Sequence, residues 1–261
     1  MWRTTTWFRL LVVLVLIVSP GDLCRATSIV AIRVPGLIVI AADSAGTFEG
    51  RNKPSSTKPV CKIYQSGGMF FAVAGFVDDP VTHFNVAHIV IEAARGGGSI
   101  RDKAEASASR LKWMIPREMP TLKADDPTEY SKMTSGKEDF TSILFFGLEN
   151  GQVVAVGFGL KVAASQNARL KVVPSWRSCP GVDCSANGMY VFTLGKHDAI
   201  DRFYASNPPS SYVVWDRAEF LVGLEIAEFP ESVRPPIDVL KVDSEGAHWI
   251  HHKRQCPDIQ K

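Results

Sequence analysis

Apolar and polar positions change period several times along the chain, and these changes divide it into elements. Leu10 to Val18 is an unbroken apolar run closed by Pro20-Gly21. Ser28–Val34 alternates weakly and is β-rich, while Leu37–Ala42 is continuously apolar, as in a strand covered on both faces. Pro35-Gly36 between them is a turn signal. Residues 45–59 are polar, with Gly, Pro and Ser, and read as a loop. Val60–Gln65 and Met69–Ala74 read as two strands around Gly67-Gly68. The period then lengthens. Val81, Phe84, Ala87, His88, Val90 and Ile91 have helical spacing within Pro80–Arg95. Gly96-Gly97-Gly98 stops that helix, and Ser99 is placed to cap a second one over Ile100–Ile115.

Residues 116–138 hold three prolines and many charges and read as an exposed excursion. Thr141–Gly147 and Gln152–Gly157 are strands around Glu149-Asn150-Gly151, and Lys161–Val173 is a further strand pair. A strand at Met189–Leu194 precedes helices at His197–Ala205 and Tyr212–Phe229. Ile237–Val242 and Ala247–Ile250 close the chain as a hairpin. Strands and helices come in blocks and do not alternate, which argues against a doubly wound parallel sheet. The pattern predicts an α+β domain: two antiparallel sheets packed face to face with paired helices outside.

The first apolar run changes the picture of the N-terminus. Arg3 and Arg9 precede it, and its nine residues fall short of the about 20 that a membrane span needs. Small residues Cys24 and Ala26 meet the −3 and −1 cleavage rule, with the cut before Thr27. Ser19 and Gly21 offer an earlier cut that leaves a stub, Asp22 to Ala26. The expectation is a signal peptide at 1–26, a domain at 27–261, and an exported protein, periplasmic or extracellular. Cys61, Cys179, Cys184 and Cys256 then meet an oxidising compartment, where three connectivities are open. Cys179 and Cys184 bracket a turn-like loop that they could close.

Charge adds an exclusion. The formal net charge is +2, and residues beyond 26 carry equal numbers of acidic and basic side chains. With no Lys/Arg cluster, there is no electrostatic case for nucleic acid or for an anionic membrane.

Two residues stand out against the apolar hairpin. If Pro35-Gly36 is the turn centre, Ser28 faces Asp43 and Thr27 faces Ser44. Cross-strand geometry then puts Asp43 within about 5–8 Å of the backbone at Thr27. A cut before Thr27 leaves a Thr with a free α-amine of pKa about 7.7–8.0, which can take the proton of its own hydroxyl. Such a nucleophile needs a nearby cation, for which Lys62 and Lys58 are candidates. It also needs an oxyanion donor, and the strand-to-helix corner at Ala74-Gly75 offers a backbone N–H.

"TSIVAIRVPGLIVIAADS" followed by "KIYQSGGMFFAVAG" resembles the start of a proteasome β-type subunit, an N-terminal-nucleophile (Ntn) hydrolase. The resemblance implies a four-layer αββα sandwich and threonine-type peptide hydrolysis without a metal or organic cofactor. It implies Thr27 as nucleophile, Asp43 as the acid orienting Lys62, and Gly75 as the oxyanion glycine. Lys58 is the fallback lysine, because the preceding loop carries an insertion. Thr47 would bond substrate backbone, and Val73 and Val77 would line an apolar specificity pocket. Partners would be a peptide or small amide substrate and further copies in a ring, with no nucleic acid, and no membrane after cleavage.

The likeness is carried by residues 27–95 and weakens beyond, with Thr141–Gly151 and Pro236–Ile250 similar to later strands. The serine of the family's G-S-G segment is missing at Gly195-Lys196-His197, its later Asp would fall near Pro230 with Glu231 closest, and Ala45 replaces its arginine. Those departures leave two other readings: an amidohydrolase for a non-peptide amide, or a catalytically silent structural or binding member.

Other constellations carry less. His83 and His88 are five apart on a helix, and the cysteines lack CxxC spacing, so neither makes a zinc site. No Gly-Lys-Ser/Thr follows Gly96-Gly97-Gly98-Ser99, and no G-x-S-x-G elbow surrounds Ser44. His251-His252-Lys253-Arg254 reads as a solvated tail.

Overall fold

The computed structural model describes residues 27–50, 53–79, 82–164, 170–182, 184–206 and 214–259. The leader expected at 1–26 lies outside the described residues. The chain opens with β1 (Ser28–Val34), β2 (Leu37–Ala42), β3 (Ala45–Gly50), β4 (Lys53–Pro59), β5 (Ile63–Ser66), β6 (Met69–Gly75), β7 (Asp78–Asp79) and β8 (Phe84–Asn85). Helices α1 (Val86–Ala93), α2 (Ile100–Asp125) and α3 (Pro127–Met133) follow. Then come β9 (Thr141–Glu149), β10 (Gln152–Ala164), β11 (Leu170–Cys179) and β12 (Tyr190–Gly195). The chain closes with α4 (Asp198–Ser206), α5 (Val214–Glu228), β13 (Asp238–Asp243) and β14 (Gly246–His251).

Two antiparallel five-stranded sheets form, in the orders β12-β1-β2-β13-β14 and β11-β10-β9-β6-β5. Side-chain alternation between two buried faces explains why β2 and β6 are apolar throughout. In β1 and β2, Ile29, Ala31, Ile38 and Ile40 join Ala72, Ala74, Leu144 and Phe146 of the other sheet in one buried cluster. Their neighbours Val30, Ile32, Val39 and Ala41 point the opposite way, onto Leu221 and Val222 of α5. In β6, Phe71 and Val73 face Leu111 and Ile115 of α2. The expected hairpin register holds: Val34 pairs with Leu37 and Ile29 with Ala42, and Gly36 takes the positive φ, 74°, that the tight turn requires.

Two expectations are corrected. Residues 45–59 are not a loop, because β3 pairs with β4 in a two-stranded antiparallel ribbon. The excursion at 116–138 is helical: α2 runs on to Asp125 through Pro116 and Pro120, and α3 follows. Each internal proline removes a helix hydrogen bond at roughly 3 kcal/mol. The apolar spacing nevertheless continues, with Leu111, Ile115, Met119 and Leu122 buried, so packing overrides propensity. The strand pair expected over Lys161–Val173 is present as the end of β10 and the start of β11, with Lys161 opposite Val173 and Ala164 opposite Leu170. The Ser99 cap is present as a capping box with Asp102.

Candidate functional site

Thr27 immediately precedes β1 and is 8% exposed. Its carbonyl accepts the Lys196 N–H at 2.6 Å. Ser28 pairs with Gly195 of β12. A side chain at Gly195 would put its Cβ 1.9 Å from the Thr27 carbonyl oxygen, and Gly195 has φ 73°. Only glycine fits that approach.

Asp43 is the first charged residue after the apolar run of β2 and is fully buried. Its Oδ1 accepts from Lys62 Nζ at 2.5 Å and from the Ser28 amide at 2.9 Å. Its Oδ2 accepts from the Ala45 amide at 2.8 Å and the Arg234 amide at 3.3 Å. Four donors therefore compensate its burial. The same carboxylate oxygen links the lysine to the amide next to Thr27, so the structure brings together Thr27, Asp43 and Lys62.

Lys62 is 4% exposed. Burial pushes its ammonium down to about 8, against the opposing pull of Asp43, with a further downward push from Lys253. Below that value the group is a cation paired with Asp43; above it, a neutral amine. Lys58 is exposed, opposite Gly46 in the β3–β4 ribbon, so of the two candidates Lys62 is the one that meets Asp43.

Gly75 ends β6 with φ 89°, and a Cβ there would meet the Phe140 carbonyl at 2.7 Å. The next amide, Phe76 N–H, donates to that carbonyl at 2.8 Å. Gly75 and Gly195 both line a cavity of about 540 Å³, with Ser142, Phe158, Phe192 and Lys196 among its other walls. Val73 and Val77 pack with the cluster under α1 and α2 and do not line that cavity. Thr47 lies in β3, paired with Thr57. At the position of the missing serine, Lys196 pairs its ammonium with Asp198 and lies over the Phe229 ring at 4.2 Å. The Lys196 ammonium holds the Asp198 carboxyl below its ordinary value. Buried Glu225 of α5 accepts the Ile200 amide at 3.0 Å and so caps α4 directly after this segment. Glu231 is exposed. The segment beside it approaches Asp43 through backbone instead, and the Ser44 amide donates to the Arg234 carbonyl at 2.8 Å.

The tail is the largest correction within the site. Lys253 is not solvated but 2% exposed, with its Nζ 2.8 Å from Asp238 Oδ2 and donating to Val60 O at 2.9 Å and Asp43 O at 3.4 Å. The Cys61–Cys256 disulfide fastens the tail to the residue before Lys62, and Cys179–Cys184 closes the short loop. Sequence reasoning missed Lys253 and Asp238. The available signal was Cys256 itself, three residues past Lys253.

Two antiparallel sheets with helices packed on them define the class: an α+β fold shared with Anbu (ancestral beta-subunit) proteins. The Anbu structure from Yersinia bercovieri matches at 14% identity over 85% of this chain and 87% of that one, TM-score 0.50. A Gly-1 mutant of Anbu from Hyphomicrobium sp. strain MC1 matches at 15% over 90% and 89%, TM-score 0.50. Anbu from Pseudomonas aeruginosa, solved as a helical assembly, matches at 13% over 87% and 88%, TM-score 0.51. No family model matches the chain, and no curated protein matches it. The assignment to proteasome β-type subunits made from the opening residues is therefore corrected: at these identities the likeness to Anbu shows the fold alone, and no family membership follows. The physical reason is that hairpin register and strand-end residues follow from the fold and do not single out one family within it.

Proposed function

We propose that this chain is an exported threonine-type hydrolase of amide bonds, with an αββα Ntn fold and its nucleophile uncovered by leader removal before Thr27. The observation that carries the reading is the single Asp43 oxygen that holds both the Lys62 ammonium and the Ser28 amide. That contact fixes a buried cation beside the residue that would become the N-terminus.

In the proposed reaction the neutral α-amine of Thr27 takes the hydroxyl proton as Oγ1 attacks the substrate carbonyl. The Gly75 N–H receives the developing oxyanion, and the amine passes its proton to the leaving nitrogen. Water, deprotonated by the same amine, then opens the ester and restores Thr27. Lys62, as a cation, lowers the amine's basicity and steadies the oxygen. Thr47 would bind substrate backbone.

The two disulfides support export. The helical assembly of the Pseudomonas protein supports self-association of this chain, for which a ring is one closed form. A silent binding subunit is the second reading, favoured by Lys196 and exposed Glu231 at the positions where the resemblance implies a serine and an aspartate.

Labelling of the matured protein with a threonine-directed β-lactone tests the proposal. A covalent adduct is expected on Thr27, lost in Thr27→Ala. Absence of Thr27-dependent labelling in protein that begins at Thr27 would support the silent reading.

A further inference from the structure

Lys62 is not the one buried ammonium behind Thr27. Lys253 donates to the Asp43 carbonyl, while Lys62 holds the Asp43 carboxylate. Its own counter-charge is Asp238, 1% exposed, which also accepts the Lys253 amide at 2.7 Å. Asp238 pairs with Ala42 across the sheet, one residue before Asp43. Two anions and two cations thus share one buried volume around the end of β2.

The connections are short. Lys253 Nζ reaches Val60 O, next to Cys61; Cys61 is bridged to Cys256; and the Cys256 amide donates to the Lys253 carbonyl at 2.9 Å. A lysine delivered by a tail and pinned in this way serves no solvated purpose, and a buried ion pair alone is weak evidence of stabilisation.

We propose that Lys253 is a positioning residue for the Thr27 site: the Cys61–Cys256 bridge holds its ammonium against the Asp43 carbonyl while Lys62 holds the Asp43 carboxylate, so that the Lys253 charge acts on Lys62. The inference rests on the proposed role of Lys62 beside Thr27. Its physical basis is like-charge repulsion inside a low-dielectric cluster, which disfavours the proton on Lys62. Removing the Lys253 charge leaves the cluster with one anion in excess, so Lys62 should hold its proton to higher pH.

His252 is a further titratable side chain in contact with the cluster; the other charged groups nearby are engaged elsewhere or exposed. His252 lies with Nδ1 3.7 Å from Asp238 Oδ1, stacks on Trp249, and has Nε2 3.2 Å from Cys256 O. The Arg234 guanidinium donates to the Pro230 and Glu231 carbonyls. Lys196 is paired with Asp198. Lys58, Arg254 and Asp258 are exposed. Tyr64 donates its hydroxyl to Cys61 O at 2.6 Å, and burial raises it to about 12, above the range in which Lys62 titrates. The α-amine of Thr27, once freed, is the remaining titrating neighbour, and Thr27→Ala retains it.

The test is a direct titration of Lys62 in the matured full chain, read from its 13Cε resonance and assigned by loss of that signal in Lys62→Arg. Wild type should titrate near pH 8. Lys253→Met should move the midpoint up by about 0.5–1 pH unit, and Lys253→Arg, which keeps the charge, should return it to near the wild-type value. Should Lys253→Met fail to fold, Asp238→Asn replaces it; removal of that anion should move the Lys62 midpoint down. An unmoved midpoint in a folded Lys253→Met or Asp238→Asn variant, or an equal shift in Lys253→Met and Lys253→Arg, would overturn the inference. The readout does not use hydrolysis. Missing Thr27-dependent activity would count against the proposed function alone, and an unmoved Lys62 midpoint against this inference alone.

Discussion

Gly195 and Lys62 show how little freedom the residues around Thr27 have. Gly195 must lack a side chain because the Thr27 carbonyl occupies the space and because its φ is positive. Gly195→Ala would add left-handed strain of about 1–3 kcal/mol to a direct collision, and would break the Lys196 N–H bond to Thr27 O. The expected result is a lower melting temperature and a β-lactone labelling rate down by about tenfold or more, since misplacing a nucleophile by about 1 Å costs on that order or beyond. Labelling at the wild-type rate would show that the carbonyl contact does not place Thr27. Lys62 has a sign to respect. Its folded pKa lies below the ordinary lysine value, so the unfolded chain holds that proton more tightly, and the contribution of this group to stability rises with pH between about 8 and the ordinary value. The site therefore keeps a cation at neutral pH against the preference of its surroundings, a condition common to functional groups.

At the scale of elements, the hairpin β1–β2 was legible because it needs only local rules. A Pro-Gly turn fixes the register, and the register alone puts Asp43 opposite Ser28. Helix α2 was half legible. The Ser99 cap marked the start, but Pro116 and Pro120 signalled a stop that burial of Ile115, Met119 and Leu122 cancels. Such tertiary compensation leaves no local mark apart from the apolar spacing. The tail was the least legible, because Lys253 reads as solvated until Cys256 is known to meet Cys61 across 195 positions, and connectivity does not follow from sequence. That bridge should matter more than its partner. Loss of a closed loop costs more the longer the loop, and the second bridge spans 5 positions. Urea unfolding should show Cys61→Ser/Cys256→Ser less stable than Cys179→Ser/Cys184→Ser by about 2–3 kcal/mol. Equal losses would mean that the tail stays docked without its bridge.

Across the whole molecule, the two sheets bring the start of the chain, the end of β2, the approach to β5 and the C-terminal tail to one place. Thr27, Asp43, Lys62 and Lys253 come from four separate segments, and Gly195, packed against the Thr27 carbonyl, lines a cavity together with Gly75. The fold is common to the Anbu structures at low identity, while the reading of the chemistry depends on this chain's own residues. On the proposed account, the leader cut and the exposure of the nucleophile are one event, because the base is the amine that the cut creates. The most direct measurement is the N-terminal residue of the exported, matured protein, read by intact mass and terminal sequencing. The account predicts Thr27 as the first residue. A mature chain that begins at Asp22, or that keeps its leader, would leave Thr27 without a free amine and contradict it.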